Sequence, residues 1–291
     1  MTQASHNGTT QGATPATTAQ SGRQPAFSIA RVGKDGAVAE LALERPPVNA
    51  LDSEDWYALA AAIDALGRDE SVRVIVLRGV GRGFCAGVDI KELSAHPERI
   101  VAVNAGNYAT FRAVHRSPKP VIAAVHGFVL GGGIGICGAS DIVVASQCAR
   151  FGVPEIDRGA MGGGAHLQRM FGVQKVRAMY FTGDMVGADE AWRLGAVERV
   201  VPREQLREAA LELAQRIAEK SGTMLALAKE ALNGVEDGDL ESKYRWEQGF
   251  TLQAYMSNDS TEARSAFVEK REAKFESAQL AQSAQPGEAR A

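Results

Sequence analysis

Three consecutive glycines, Gly131, Gly132 and Gly133, constrain the fold of this chain more than any other feature. They follow an uncharged, β-branched run at 120–125, which is typical of a buried strand. The residues after them, up to Ser140, are small or apolar and predict a buried helix. A strand, a glycine turn and a helix N-terminus in succession direct backbone N–H groups at one point. Glycine lets a substrate oxygen reach those groups without meeting a Cβ.

The glycine pattern differs from two common phosphate sites. The stretch at 126–141 lacks the Lys-Ser/Thr pair that closes a nucleotide P-loop, and its glycines are not spaced as in a dinucleotide site. We therefore expect any anion held here to be an oxyanion rather than a phosphate. A glycine-rich turn without a ligand is the alternative, and the glycines alone do not distinguish the two.

The composition is that of a soluble globular protein. Of the 291 residues, 45% are hydrophobic and 23% are charged, and the formal net charge is −3. This balance argues against a nucleic-acid-binding protein, which typically has a basic face. No apolar run has the length of a membrane span. The three cysteines, Cys85, Cys137 and Cys148, have no metal-ligand spacing and cannot all pair, so we expect a reduced, cytoplasmic protein without a metal site.

Strands and helices alternate through the first two thirds of the chain. Alternating segments at 27–32 and 38–43 flank a turn at 34–36 and predict a β-hairpin, and Asp52 or Ser53 can cap the helix that follows. Further strands are predicted at 74–77, 120–125, 142–145 and 197–201. Further helices are predicted at 104–115, 188–194, 203–219, 222–233, 240–256 and 261–275. This alternation favours an α/β fold.

Five segments together resemble the enoyl-CoA hydratase/isomerase (crotonase) superfamily. Three of them, 85–92 (CAGVDIKE), 126–133 (HGFVLGGG) and 151–156 (FGVPEI), are similar to its signature segments. The segment at 46–51 (PPVNAL) is similar to its CoA-binding start, and the segment at 266–275 (AFVEKREAKF) is similar to its C-terminal helix. Each segment alone is a weak signal, but all five occur in the order of the family, so the resemblance covers about 27–277.

The resemblance implies an α/β crotonase (ClpP-like) fold, in which repeated ββα units form two roughly perpendicular sheets and a helical region follows. We expect a disordered tail at 1–25 and a core with the CoA and oxyanion sites at 26–200. A helical oligomerisation region at 201–277 and a frayed tail at 278–291 follow. The implied substrate is an acyl-CoA thioester, and the implied assembly is a homotrimer or hexamer. Coenzyme A is part of that substrate, so no separate cofactor is expected, and neither is a nucleic-acid or membrane partner.

Reactions at the α-carbon of a thioester pass through an enolate, whose oxygen needs hydrogen-bond donors. By resemblance the donors are the backbone amides of Val88 and Gly132, and the second lies at a helix N-terminus, where the helix dipole adds to the field. The other residues that the resemblance assigns to the substrate or CoA are Asn49, Ala86, Gly87, Asp89, Ile90, Gly131, Gly135, Arg158, Lys270 and Lys274. For the two lysines a solvated helix face is the alternative, and for Arg158 an ion pair with Asp157.

The carboxylates distinguish this chain within the family. In the hydratases of this family, two glutamates act together to add water across a double bond. Here one glutamate is present as Glu155, whereas the position of the other is Gly135. Segments at 131–135, 139–146 and 154–160 are similar to an actinobacterial branch that opens a ring of a bicyclic, steroid-derived CoA thioester. We therefore expect a C–C hydrolase with Glu155 as general base, and we expect Gly135 to leave room for a bulky ring.

Two alternatives stay open. A hydratase or isomerase of an unusual acyl-CoA would use the same oxyanion site. A catalytically weak scaffold protein that binds CoA esters or RNA would explain the missing glutamate, although Glu155 and the acidic balance argue against it. As an enzyme, the chain is expected to act in lipid or steroid catabolism.

Overall fold

The computed structural model describes residues 25–158 and 162–236 and a set of single residues beyond them. Those single residues are Asn258, Asp259, Glu262, Ala266, Glu269, Arg271, Glu272 and Lys274. Of Ile156 and Arg158 the main chain alone is described. Residues 1–24 of the tail predicted at 1–25, the tail predicted at 278–291, the helix predicted at 240–256 and most of the one at 261–275 lie outside the described residues.

Eleven strands and nine α-helices are assigned in the described part of the chain. The strands are β1 (Phe27–Val32), β2 (Val38–Leu43), β3 (Ala50–Leu51), β4 (Val74–Gly79), β5 (Gly87–Val88), β6 (Val121–Val125), β7 (Phe128–Leu130), β8 (Ile142–Ser146), β9 (Arg150–Gly152), β10 (Val186–Gly187) and β11 (Arg199–Val201). The helices are α1 (Ser53–Arg68), α2 (Ile90–Ala95), α3 (Ile100–Arg116), α4 (Gly132–Ala139), α5 (Gly164–Met170), α6 (Val173–Thr182), α7 (Ala188–Arg193), α8 (Leu206–Ala218) and α9 (Gly222–Val235).

One six-stranded sheet forms the centre of the fold. Its strand order is β1-β2-β4-β6-β8-β11, and every pair in it is parallel except the β1–β2 hairpin. A three-stranded sheet, β10-β9-β7, and a two-stranded sheet, β3-β5, lie beside it. The predicted hairpin and the predicted α/β class are confirmed. The structure shows Asp52 as the cap of α1, because its side chain accepts a hydrogen bond from the Asp55 amide.

Alternate residues of the central strands face two different helical layers. In β4, Ile75 and Leu77 belong to the main core together with Trp56 of α1. Val74 and Val76 point the other way and pack in a second cluster with α8. Burial on both faces explains why these strands are continuous apolar runs rather than alternating ones.

The chain between β6 and α4 differs from the prediction. The sequence predicts that the strand at 120–125 passes through the glycines directly into a helix. In the structure the chain reverses at Gly127 (φ 56°), and β7 comes before α4. A Cβ at Gly127 would lie 3.0 Å from Gly83 Cα, so the reversal requires glycine. Because β7 pairs with β9, the reversal moves the glycines from the large sheet to the small one.

The helix α8 begins the segment that the sequence assigns to oligomerisation. It packs on the large sheet, where Ala210 and Ala214 are fully buried. The division of the chain at 200 stays a prediction. Within the described ranges no helix has both the length and the apolar character needed to cross a membrane.

Candidate active site

Two loops bring backbone amides to one place. Directly after β5 the Asp89 amide donates to Leu51 O at 2.9 Å, so the preceding amide, that of Val88, points away from β3. Gly132 is the first residue of α4, and its amide therefore has no partner within the helix. A Cβ at Gly87 would lie 3.0 Å from Gly132 N, so the two segments touch through glycine backbone. The amides of Val88 and Gly132 thus lie on adjacent segments.

Each of the three consecutive glycines permits a different close contact. A Cβ at Gly131 would overlap Glu155 Oε1. A Cβ at Gly132 would lie 2.6 Å from Trp56 Cζ2, and one at Gly133 would lie 2.7 Å from the Cys85 carbonyl oxygen. All three positions therefore exclude a side chain. The glycine-rich turn has a steric reason that the sequence alone does not reveal.

Glu155 lies directly over this turn. It is the second residue of a 3-10 helix, Pro154–Arg158, that follows β9. Its carboxylate is half-buried and occupies the space above Gly131. The three-residue strand β9 pairs with β7, which ends at the glycines, so the small sheet fixes Glu155 beside the N-terminus of α4.

A cavity of about 310 Å³ opens at this point, and we call it the central cavity. Its walls are Ala86, Val88, Ile90, Leu93, Ser94, Ile100, Asn104, Asn107, Phe111, Leu130, Gly131, Gly132, Pro154, Glu155, Gly162 and Gly163. Most of these residues are apolar, and Glu155 is the one carboxylate among the described residues that line the cavity. A mostly apolar cleft with a few converging polar groups is typical of a small-molecule site.

Phe111 occupies the space beside Gly135. A Cβ at Gly135 would lie 2.5 Å from Cε1 and Cε2 of the Phe111 ring. The ring packs edge-on against Trp56, with centroids 5.8 Å apart, and against His166 at 4.7 Å. The expectation that Gly135 leaves room for a bulky ring is therefore wrong. Gly135 is buried, and Phe111 forms the cavity wall in its place.

Two of the predicted binding residues shape the loop rather than line the cavity. Asn49 is 2% exposed and has a positive φ of 51°. Its Nδ2 donates to the carbonyl oxygens of Val80, Gly83 and Phe84 at 2.9–3.1 Å, which fixes the loop before β5. Asp89 caps α2, because its Oδ1 accepts from Lys91 N at 2.9 Å.

The remaining predicted residues have four different outcomes. Ala86, Ile90 and Gly131 line the central cavity with Val88, Gly132 and Glu155. Gly87 provides the contact with α4 described above. The side chain of Arg158 and all of Lys270 lie outside the described residues. Lys274 is exposed, and its main-chain N–H donates to Glu262 Oε1 at 2.7 Å.

The histidines and buried cysteines near the site have structural surroundings. Burial raises the pKa of the Cys85 thiol to about 12 and also raises that of Cys137, so both thiols stay protonated. Burial, followed by the charge of Arg169, lowers the pKa of His166. His126 Nε2 lies 3.0 Å from the Gly81 carbonyl oxygen and 2.8 Å from Arg203 Nη2. Groups of histidine, cysteine and carboxylate side chains with metal-binding geometry are absent from the described part of the chain.

Sequence reasoning missed the residues that α1 and α3 contribute. Trp56 lies under Gly132, and Phe111 and Asn107 form the wall opposite the glycine turn. The sequence contains one usable signal, since Asn104, Asn107 and Phe111 follow each other at helical spacing on α3. Polar residues on a helix face that also carries a large aromatic residue indicate that this face borders a cavity and is not packed in the core.

Known proteins share both the sequence and the fold. The sequence profile described as enoyl-CoA hydratase/isomerase matches residues 33–279. A Mycobacterium tuberculosis protein named (7aS)-7a-methyl-1,5-dioxo-2,3,5,6,7,7a-hexahydro-1H-indene-carboxyl-CoA hydrolase is 44% identical over 235 residues, 80% of this chain and 95% of the relative. A Rhodococcus jostii protein of the same name is 43% identical over 234 residues, 80% of this chain and 91% of the relative.

Hydratases are also similar to this chain. A probable enoyl-CoA hydratase of Rhizobium meliloti is 38% identical over 248 residues, 84% of this chain and 96% of the relative. The crystal structure of an enoyl-CoA hydratase from Mycobacterium smegmatis matches with a TM-score of 0.82 and 34% identity, covering 86% of this chain and 99% of that one. From the profile match, the relatives and the shared fold, we conclude that this chain belongs to the enoyl-CoA hydratase/isomerase (crotonase) family of acyl-CoA enzymes.

Proposed function

We propose that this enzyme hydrolyses a carbon–carbon bond in the ring of a cyclic keto-acyl-CoA, with Glu155 as general base. The observation that carries the proposal is that Glu155 is the single carboxylate among the described residues that line the central cavity. Phe111 fills the space beside Gly135, where the family's hydratases have their other glutamate. Ring hydrolysis needs one base to activate water, whereas hydration by the family's two-glutamate arrangement needs a pair.

The relatives support the same reaction. The two proteins named as indene-carboxyl-CoA hydrolases are 43–44% identical to this chain, and the Rhizobium meliloti hydratase is 38% identical. We therefore infer that the acyl group is a fused ring system with ketone oxygens and that the pathway is steroid breakdown.

The residues of the site suit each step of the reaction. Glu155 takes a proton from water, and the resulting hydroxide adds to the ring ketone carbon. The bond from that carbon to a carbon conjugated with the thioester then breaks, and its electron pair moves into the thioester as an enolate. The amides of Val88 and Gly132 hold the enolate oxygen, and one such donor typically contributes ~3–4 kcal/mol. Glu155 returns the proton to carbon, which leaves a new carboxylic acid and an intact CoA thioester.

A hydratase or isomerase is the second candidate, favoured by the similarity to hydratases of 38% and 34% identity. It would use the same two amides but would act on a carbon–carbon double bond. The substrates separate the candidates, because a ring hydrolase requires a ketone and a hydratase requires an enoyl group. Rapid turnover of crotonyl-CoA would favour the hydratase.

The test is a panel of CoA thioesters, including crotonyl-CoA and mono- and bicyclic keto-acyl-CoA compounds, with products identified by mass and by titration of new acid. We expect ring-opened acids from the cyclic ketones and poor turnover of crotonyl-CoA.

Glu155→Gln should lower kcat on the best substrate ~10²–10⁴-fold and leave binding of the CoA ester nearly unchanged. Asp157→Asn is the matched control, because Asp157 is an exposed carboxylate of the same 3-10 helix. Equal activity of Glu155→Gln and wild type would contradict the proposal.

We further propose a trimer or a dimer of trimers that works in the cytoplasm without a metal or redox cofactor. Large apolar side chains on and near α6 and α7 support self-association, since Phe181 is 70% and Trp192 58% exposed in one chain. Sedimentation at micromolar concentration should give three or six times the mass of 30.9 kDa. A monomer mass would refute the assembly. Loss of activity with a chelator, restored by zinc or magnesium, would refute the absence of a metal.

A further inference from the structure

One face of α3 forms part of the wall of the central cavity. Four of its residues, Ile100, Asn104, Asn107 and Phe111, line the cavity at positions i, i+4, i+7 and i+11. This spacing places them on a single stripe of the helix. Among the described residues that line the cavity, the polar side chains are those of Ser94, Asn104, Asn107 and Glu155, and the two asparagines supply the amides.

Contacts with α1 fix the rotation of α3. A Cβ at Gly106 would lie 2.8 Å from Trp56 Cβ, so the two helices touch at this glycine. Thr110 Oγ1 donates to the Trp56 carbonyl oxygen at 2.7 Å, one turn further on. Both contacts lie beside Asn107 in the helix. The packing of α1 on α3 therefore holds the Cα of Asn107 at the cavity wall.

The Asn107 amide is unsatisfied at its oxygen. Asn107 Oδ1 is buried and has no hydrogen-bond partner among the described residues. Leaving a buried polar group without a partner is unfavourable, and such groups are usually paired by a ligand or by water. A half turn about the Cβ–Cγ bond exchanges the oxygen and the nitrogen. The same position can therefore accept from a hydroxyl group or donate to a ketone.

We propose that Asn107 selects acyl groups that carry an oxygen function over plain hydrocarbon ones, by a hydrogen bond to a ketone or enol oxygen of the ring. A hydrocarbon acyl group would displace water from the Asn107 amide without forming a hydrogen bond to it, whereas a ring oxygen would form that hydrogen bond. The inference deepens the proposed function, because it names the substrate feature that the site recognises. It concerns binding, so it is testable without turnover.

The experiment compares the dissociation constants of cyclohexane-carboxyl-CoA and of its 3-oxo and 4-oxo derivatives, measured by calorimetry. In these ligands no ring bond next to the ketone leads to a carbanion conjugated with the thioester, so ring hydrolysis does not interfere. The wild type should bind at least one oxo ligand about tenfold more tightly than the hydrocarbon ligand, which corresponds to about 1.4 kcal/mol. Asn107→Leu should reduce this ratio to about one, and it should bind the hydrocarbon ligand at least as tightly as the wild type does.

Ala105→Leu is the control, because Ala105 is an exposed residue of the same helix and is not among the residues that line the central cavity. It should keep the ratio of the wild type. A wild type that binds the oxo and hydrocarbon ligands equally would overturn the inference, and this result does not depend on any variant folding. Asn107→Leu with an unchanged ratio would overturn it as well. If the ratio behaves as expected but no ring is opened in the product assay, the proposed function fails and the recognition by Asn107 stands.

Discussion

The contact between Phe111 and Gly135 predicts what happens when a side chain is added at position 135. In Gly135→Ala the new methyl group would lie 2.5 Å from two ring carbons of Phe111. Overpacking of this kind costs about 1–3 kcal/mol. Replacing glycine by alanine inside α4 stabilises the helix by about 1 kcal/mol, because alanine has the higher helix propensity. We expect the free energy of unfolding to fall by about 0–2 kcal/mol, and kcat to fall because Phe111 moves into the central cavity.

A double-mutant cycle measures the contact itself. Phe111→Ala removes the ring that the methyl group would strike, so the double variant with Gly135→Ala should be at least about 0.5 kcal/mol more stable than the sum of the single effects predicts. Urea unfolding followed by tryptophan fluorescence gives the four free energies. Gly172→Ala is the control, because nothing lies within 4 Å of a Cβ at that glycine. Additive effects of the two substitutions would refute the contact and the explanation of the single carboxylate.

The same contact changes the expected outcome of restoring the second glutamate. Because the family's hydratases have a glutamate at the position of Gly135, Gly135→Glu without any structural constraint would be expected to raise crotonyl-CoA hydration slightly. Because Phe111 occupies the space, Gly135→Glu alone should leave hydration low, whereas the double variant with Phe111→Gly should hydrate faster than either single variant. Crotonyl-CoA hydration rates of the wild type, the two single variants and the double variant test this prediction. A Gly135→Glu variant that hydrates as fast as the double variant would contradict it.

Three further predictions concern the site and its support. Gly131→Ala should lower kcat on the order of 10²-fold or more, because its methyl group displaces the Glu155 carboxylate; steady-state assays at saturating substrate test this, and wild-type kcat would contradict it. Lys229→Met should lower the free energy of unfolding by ~2–4 kcal/mol, since it removes a buried ammonium group that pairs with Asp141 at 2.7 Å and donates to the carbonyl oxygens of Val114 and Lys119. Urea unfolding measures the change, and a difference within error would refute it. Burial lowers the pKa of His166 in the folded state, so as pH falls the unfolded chain binds the proton first, and the free energy of unfolding should decline below about pH 6.5. His166→Gln should make the free energy of unfolding less dependent on pH in this range, and an unchanged pH dependence would contradict the prediction.

The parts of the site that are local in sequence are predictable from the sequence. The glycines at 131–133 and Glu155 stand in short segments whose residue types carry the chemistry. The alternation of strands and helices likewise predicts the α/β class, because each strand of the large sheet is an apolar run between helices.

The parts that depend on tertiary packing are not predictable in this way. Gly127 turns the chain into β7, but three residues between glycines have no distinguishing periodicity. Gly135 suggests empty space, yet the structure fills it with Phe111 from a helix more than twenty residues earlier. Asn49 matches a binding motif, whereas its side chain is used to hold the loop before β5.

In the proposed reaction one carboxylate, Glu155, activates water for ring opening. The most direct measurement uses water labelled with ¹⁸O and the bicyclic dioxo-indene-carboxyl-CoA thioester named for the two relatives, with the product analysed by mass and ¹³C NMR. We expect ¹⁸O in a new carboxylate, an intact thioester and a rate that falls ~10²–10⁴-fold in Glu155→Gln. Label in an alcohol, or release of free CoA with the ring intact, would contradict the account.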